Sequence, residues 1–292
     1  MTQYPSRYPL TNKNARPSSK SIMVSGTPRI IAIANQKGGV GKTTTAVNLA
    51  TAMCAVGKRV LLIDLDAQGN ASTGLGIKRS SITKSTYDVL FGDIDVRDTA
   101  MKTKVPGLSV VPSSVHLAGA EIELVSMNQR EYRLREALRQ PLPYDYILID
   151  CPPSLSLLTL NALVASDSIL VPLQCEFYAL EGLSHLTKTI ERVKRHYNPG
   201  LEIHGVVLTM FDKRNNLSGM VASDVRKHFG DKVYDTVIPR NVRVSEAPSF
   251  GLPAIVYDMA CPGAQAYIHL AGEVLKRERG ILRGDNAQSG VA

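Results

Sequence analysis

Ile30-Ile31-Ala32-Ile33-Ala34-Asn35-Gln36-Lys37-Gly38-Gly39-Val40-Gly41-Lys42-Thr43-Thr44 is the stretch on which the fold of this 292-residue chain turns. A short apolar run without polar alternation reads as a strand covered on both faces. Glycines then make a turn, and over 43–56 apolar residues recur at helical spacing. Strand, glycine-rich loop and helix follow one another directly.

Further runs at 60–63, 108–111, 146–149, 169–173 and 206–208 are equally short and apolar, with helical patterns at 117–139, 155–165, 180–197, 217–229 and 264–279. This alternation predicts a single-domain α/β fold of the P-loop NTPase type, a doubly wound, mostly parallel sheet with helices on both faces. Ligands of such folds bind at the carboxyl ends of the strands. The chemistry gathers there: the glycine loop follows the first run, Asp64-Leu65-Asp66 the second, and Asp150-Cys151-Pro152-Pro153 the run at 146–149.

An anion needs converging backbone N–H groups, which glycine permits by letting the chain approach closely, and a helix N-terminus adds the positive end of its dipole. The candidate phosphate cradle is therefore Lys37, Gly38, Gly39, Val40, Gly41, Lys42, Thr43 and Thr44, with Lys42 suited to the β/γ-phosphates and the Thr43 hydroxyl to Mg²⁺. The usual spacing asks for glycine at position 36, and this chain has Gln36 followed by Lys37. Lys42 already serves the phosphates of its own loop. The second lysine either meets charge on a neighbouring subunit's nucleotide or faces solvent; spacing does not choose between them.

Composition, with 44% hydrophobic and 21% charged residues, is that of a globular protein able to bury a large core. The longest uncharged stretch, 151–166, is too short to span a membrane and contains Pro152 and Pro153. No apolar signal core opens the chain, so a cytoplasmic location is expected. Four cysteines without a C-x-x-C pair read as reduced structural thiols. Of the net charge of +8, residues 1–29 carry five cations and no acid. Residues 1–28 read as a disordered basic arm, either solubilising or a tether to nucleic acid or a membrane surface, and 280–292 as a flexible tail. Between Lys213 and Arg243 lie seven basic residues and three acidic ones. On charge alone this is a solvated helix face or a phosphate-binding one; no interleaved aromatics point to base stacking.

Four ordered motifs now carry a family resemblance: the loop 37–44, Leu61-Leu62-Ile63-Asp64-Leu65-Asp66-Ala67-Gln68-Gly69-Asn70, Ile149-Asp150-Cys151-Pro152-Pro153-Ser154, and Val237-Ile238-Pro239-Arg240-Asn241-Val242-Arg243. Together they resemble the ParA-type partition ATPases of the short chromosomal, Soj-like kind, in the deviant Walker A MinD/ParA class. The resemblance covers residues 29–279, which reads as the ATPase domain. It implies that Lys37 reaches across an ATP-sandwich homodimer and that Gly38 lies where the subunits approach most closely. It further implies that Asp66 positions the attacking water, while Thr43, Asp64 and Asp150 serve Mg²⁺. Adenine is expected against Pro239, Arg240, Asn241 and Val242, with Met210 and Phe211 nearby. Arg214 and Arg243 match positions that contact double-stranded DNA without sequence specificity.

The activity implied is slow ATP hydrolysis that requires the dimer and is stimulated by a ParB-type centromere-binding partner, on a nucleoid-associated protein of chromosome or plasmid partition. The residues before the first strand are too few for the helix-turn-helix domain of longer plasmid homologues. A MinD-like division-site ATPase shares the loop but needs a C-terminal amphipathic membrane helix, and 273–283 offers only a thin apolar face; no stable membrane insertion is expected. Nitrogenase-reductase-like carriers need differently placed cysteines, and a tyrosine-kinase relative would show a tyrosine cluster that is missing after Tyr267.

Overall fold

The computed structural model describes residues 27–289. The basic arm therefore lies, except for residues 27 and 28, outside the described residues. Eight strands form one sheet: β1 (Arg29–Ile33), β2 (Val60–Asp64), β3 (Met101–Lys102), β4 (Leu108–Val111), β5 (Tyr146–Asp150), β6 (Ser168–Gln174), β7 (Glu202–Phe211) and β8 (Val233–Pro239). Their order is β3-β4-β2-β5-β1-β6-β7-β8, and only the short β3–β4 pair at one edge is antiparallel. The doubly wound, mostly parallel sheet expected from the sequence is what the chain forms.

The α-helices are α1 (Lys42–Ala55), α2 (Asn70–Gly74), α3 (Thr86–Phe91), α4 (Val96–Thr99), α5 (Leu117–Val125), α6 (Arg133–Ala137), α7 (Leu157–Ala165), α8 (Ala179–His196), α9 (Asn216–Phe229), α10 (Val242–Glu246), α11 (Ala254–Tyr257) and α12 (Pro262–Ser289). The absence of alternation in the strands has its cause in two cores. Ile31 and Ile33 pack with Leu49 and Met53 of α1 and with Tyr267 and Leu270 of α12, while Ile30 and Ala32 pack with Leu158 of α7 and Leu183 of α8. Each fully buried aliphatic side chain contributes about 1.5–3 kcal/mol of transfer free energy, so successive strand residues stabilise opposite layers. All four cysteines are buried free thiols.

Three expectations need correction. The helix predicted over 117–139 is broken between α5 and α6, where Gln129 takes a φ of 53°. Buried Asn161 organises the break: its Oδ1 accepts from Leu134 N at 3.2 Å, and its Nδ2 donates to Arg130 O at 2.8 Å. The apolar pattern predicts no strand at β8, because the exposed Asp235 and half-buried Thr236 interrupt its run at the sheet edge. Finally, α12 continues past residue 279, where the sequence places the start of a tail. Its Glu278 is 1% exposed and sits 3.0 Å from Arg29 Nε and 2.9 Å from His204 Nε2, closing the two ends of the folded region on each other.

β1 lies between β5 and β6. Asp150 is in register with Ile33 on one side and with Asp64 on the other. The loop after β1 and the acids ending β2 and β5 therefore share one end of the sheet.

Candidate nucleotide and catalytic site

The loop between β1 and α1 takes its shape from glycine backbone: Gly39 has φ 75° and Gly41 φ 87°, a left-handed region that L side chains rarely adopt. Gly41 sits at the N-cap of α1 with no side chain capping it, so the first amides of α1 remain available to an anion. Two distant residues, Pro172 and Thr209, brace the loop. Asn35, 4% exposed, donates through Nδ2 to Pro172 O at 2.7 Å and accepts through Oδ1 from Lys37 N at 3.0 Å. Thr209 at the end of β7 donates to Val40 O at 2.8 Å.

The two loop lysines divide sharply. Lys42 is 7% exposed and folds back to donate to Lys37 O at 3.0 Å. Burial lowers its pKa, opposed by the nearby Asp150, Cys151 and Asp66. Lys37 lies outside, with its ammonium on the Glu176 carboxylate just after β6. Of the two, Lys42 is the one turned toward the cradle of its own loop, which predicts a large effect of removing it. Lys42→Ala should weaken Mg·ATP binding by about 3 kcal/mol, roughly 100-fold, because charge-assisted bonds to phosphate are removed. Isothermal calorimetry checks this, and wild-type affinity would show the assignment to be mistaken.

The carboxylates stand differently from one another. Asp150 is fully buried and neither of its oxygens accepts a hydrogen bond of normal geometry, although the Thr43 hydroxyl is close enough to favour its charged form. Burial, and then the Asp64 charge, push its pKa well above the ordinary range. Asp64 is also fully buried, but its Oδ2 accepts from Ser72 N at 2.8 Å and Ser72 Oγ at 2.6 Å, and its Oδ1 from Asp66 N at 3.3 Å. Asp64 thereby organises the turn carrying Asp66. Asp66 is half-buried; its Oδ1 accepts from Gln68 N at 2.9 Å and its carbonyl from Ser113 Oγ at 2.5 Å.

Two neighbouring buried acids, of which Asp150 stands by Thr43 without a hydrogen bond of normal geometry, fit a divalent cation. No three His, Cys, Asp or Glu side chains converge into a metal cage among the described residues. That suits Mg²⁺, which keeps waters and takes phosphate oxygens instead of filling a protein cage.

The expected adenine residues come together at one end of β7 and β8. Phe211 is paired with Pro239, and Arg240 N donates to Phe211 O at 3.1 Å. Met210 holds a φ of 49°, the left-handed region unusual for its type. The Asn241 side chain caps α10 by accepting from Val244 N at 3.2 Å, and Val242 is 71% exposed. Arg214 and Arg243 are exposed but paired: Arg214 holds Asp212 at 2.9 and 3.0 Å, and Arg243 reaches Glu246 at 3.0 Å and Asp258 at 3.7 Å. These three acids lie outside residues 213–243, so the local positive charge is smaller than that stretch alone suggests.

Asn35, Thr209, Ser72, Ser113 and Glu176 carry no signal in the sequence. Their partners are brought to them by the fold, and no spacing announces them.

A phosphate cradle of this form between β1 and α1 defines a P-loop nucleotide-binding protein, and that is the class to which fold and site assign the chain. A family model described as an AAA domain matches residues 28–203. The chain is 64% identical over 254 residues to the chromosome partitioning protein ParA of Caulobacter vibrioides, covering 86% of this chain and 95% of that protein. It is 58% identical over 247 residues to the sporulation initiation inhibitor protein Soj of Bacillus subtilis, covering 84% and 98%. Among solved structures, cobyrinic acid a,c-diamide synthase from Mycobacterium smegmatis, with bound ATP analogue and magnesium, aligns with TM-score 0.76 at 36% identity, covering 86% of this chain and 96% of that one. The chain belongs to the ParA/Soj family of partition ATPases, and its cofactors are ATP and Mg²⁺. No described helix is long and apolar enough to cross a membrane.

Proposed function

We propose that the protein is an ATP-driven switch of DNA partition: ATP assembles a sandwich homodimer, the dimer binds double-stranded DNA without sequence specificity, and hydrolysis releases it. The observation that carries this reading is the division of the two lysines. Lys42 is turned into its own loop, whereas Lys37 stands on the surface with its side chain 45% exposed. Exposed Gly38 and Gly39 lie beside it, and Phe177 and Tyr178, 74% and 67% exposed, follow Glu176 directly. An exposed, partly apolar face with a cation in it suits a second copy carrying phosphates.

In the reaction, water attacks the γ-phosphorus in line while the bond to the bridging oxygen breaks, giving ADP and phosphate. Asp66 orients the water from the turn held by Asp64 and Ser113. Lys42 and the α1 amides bind the phosphates of their own subunit, and the partner's Lys37 stabilises charge developing on them. Thr43 and Asp150, with Asp64 behind them, would hold Mg²⁺, which when bound neutralises charge on the phosphate oxygens. Adenine lies along Met210 and Pro239 to Val242. Beyond Asp66 no general base is assigned among the described residues, which favours slow basal turnover and acceleration by a ParB-type partner. Non-specific DNA binding would place the protein on the nucleoid, in the cytoplasm.

Size-exclusion chromatography with ADP and with ATP, with and without scrambled duplex, tests the switch. An ATP-specific dimer that alone binds DNA is the expected result; equal DNA affinity in both nucleotide states would overturn it. Arg214→Ala and Arg243→Ala should each weaken binding to all sequences alike. Each should also make the slope of log K against log salt shallower, by about 0.9 for every phosphate no longer neutralised. Anisotropy titrations over a salt series read both effects. The exposed acid pairs offer weak competition, since such pairs are worth about 0–1 kcal/mol. Binding to anionic vesicles in place of DNA would favour the MinD-like reading.

A further inference from the structure

Along the exposed side of α7 runs a groove of about 820 Å³, formed by residues that take no part in the nucleotide site. Leu155, Leu157 and Leu160 line it on the α7 side, and Val125, at the end of α5, lines it from the other. Leu155 is 40% and Val125 60% exposed, and with Leu157 and Leu160 they form one apolar floor. Arg192 and Arg195, on the last turns of α8, border it and are themselves exposed. Among the described residues neither has a carboxylate within 4 Å, whereas Arg59, Arg97, Arg139, Arg214 and Arg243 all do. The C-terminal dipole of α8 accounts for a cation at Arg195; Arg192 stands a turn earlier.

We propose that this groove docks a short acidic amphipathic helix from a partner protein. The partner's apolar side chains would lie on Leu155, Leu157, Leu160 and Val125, and its carboxylates would meet Arg192 and Arg195. The size lies within the range of built binding clefts. α7 has nine residues, a rise of about 13 Å, which matches anchors at i, i+4 and i+7 on a docked helix. Arg130 and Glu131 also line the groove but pair with each other, so the charge left on the rim is that of Arg192 and Arg195, and it selects the occupant. A symmetric contact with a second copy would bring two patches of the same positive charge together. A nucleic acid would lay phosphates over leucines that have no donors to offer. An acidic helix satisfies both the floor and the rim.

The test is selection of a random 16-residue peptide library on the full-length protein with Mg·ATP. Recovered peptides are then synthesised and titrated against wild type, Leu155→Lys, and the double variant Arg192→Glu/Arg195→Glu. All three altered residues are exposed, and circular dichroism with ATP binding verifies that the variants are folded. Enriched peptides should carry net negative charge and apolar residues at helical spacing, and their affinity should fall at least tenfold on both variants. Neutral or basic consensus sequences, no enrichment, or equal affinity for the variants would overturn the proposal. So would loss of the ATP dimer in Leu155→Lys, which would make the groove a self-contact. Loss of DNA binding without loss of peptide binding in the double variant would assign the rim to nucleic acid and overturn it too.

Discussion

Lys37→Ala is expected to bind Mg·ATP with nearly wild-type affinity, to elute as a monomer in ATP, and to hydrolyse ATP about 1,000-fold more slowly. The magnitude is that of removing a cation supplied in trans to a phosphoryl-transfer site, where about 10³–10⁵ in rate is usual. Binding survives because Lys42, buried and hydrogen-bonded to Lys37 O, meets the phosphates of its own subunit; the backbone carbonyl it uses is untouched by the substitution. Leaving Glu176 for a partner's phosphate costs Lys37 little, because both side chains are more than 40% exposed and such pairs are weak. Chromatography with light scattering and a phosphate-release assay measure the two readouts separately. ATP-dependent dimerisation together with wild-type turnover would return Lys37 to a solvent-facing role.

Asp66→Ala should separate the same steps in the opposite direction. The variant is expected to keep ATP, to form a long-lived dimer, and to turn over about 10²–10⁴-fold more slowly, the usual contribution of a positioned acid–base group. The backbone of its turn does not depend on the missing carboxylate alone. Asp64 accepts from Asp66 N, Ser113 donates to Asp66 O, and Gly69 N donates to the same carbonyl at 2.9 Å. The phosphate cradle should therefore remain while water is no longer oriented. Single-turnover kinetics on the isolated ATP dimer give the rate, and turnover at the wild-type level would remove Asp66 from the mechanism.

Local pattern by itself determined the strand–loop–helix unit at 30–56 and the class of sheet. Burial on both faces forces apolar residues at consecutive positions, and the left-handed backbone at Gly39 and Gly41 admits few residues but glycine. Asp64 and Asp150 were legible for the same reason: each ends an apolar run, and parallel strands of similar length finish side by side, as the register of β2 and β5 has it. Tertiary structure alone decided the rest. Asn35 meets Pro172 and Thr209 meets Val40 across 137 and 169 positions, separations at which no periodicity exists to read. Lys42 and Lys37 are both cations on one turn in the sequence; only the packing of the loop against β6 and β7 sends one inward and sets the other on Glu176. The break after α5 follows from a single buried amide, Asn161, whose need for hydrogen-bond partners outweighs the helical pattern above it. Of the acids that pair with Arg214 and Arg243, Asp212 and Glu246 stand two and three positions away and could be read beside them in the sequence, whereas Asp258 is brought back to Arg243 only by the fold, because charge acts through space.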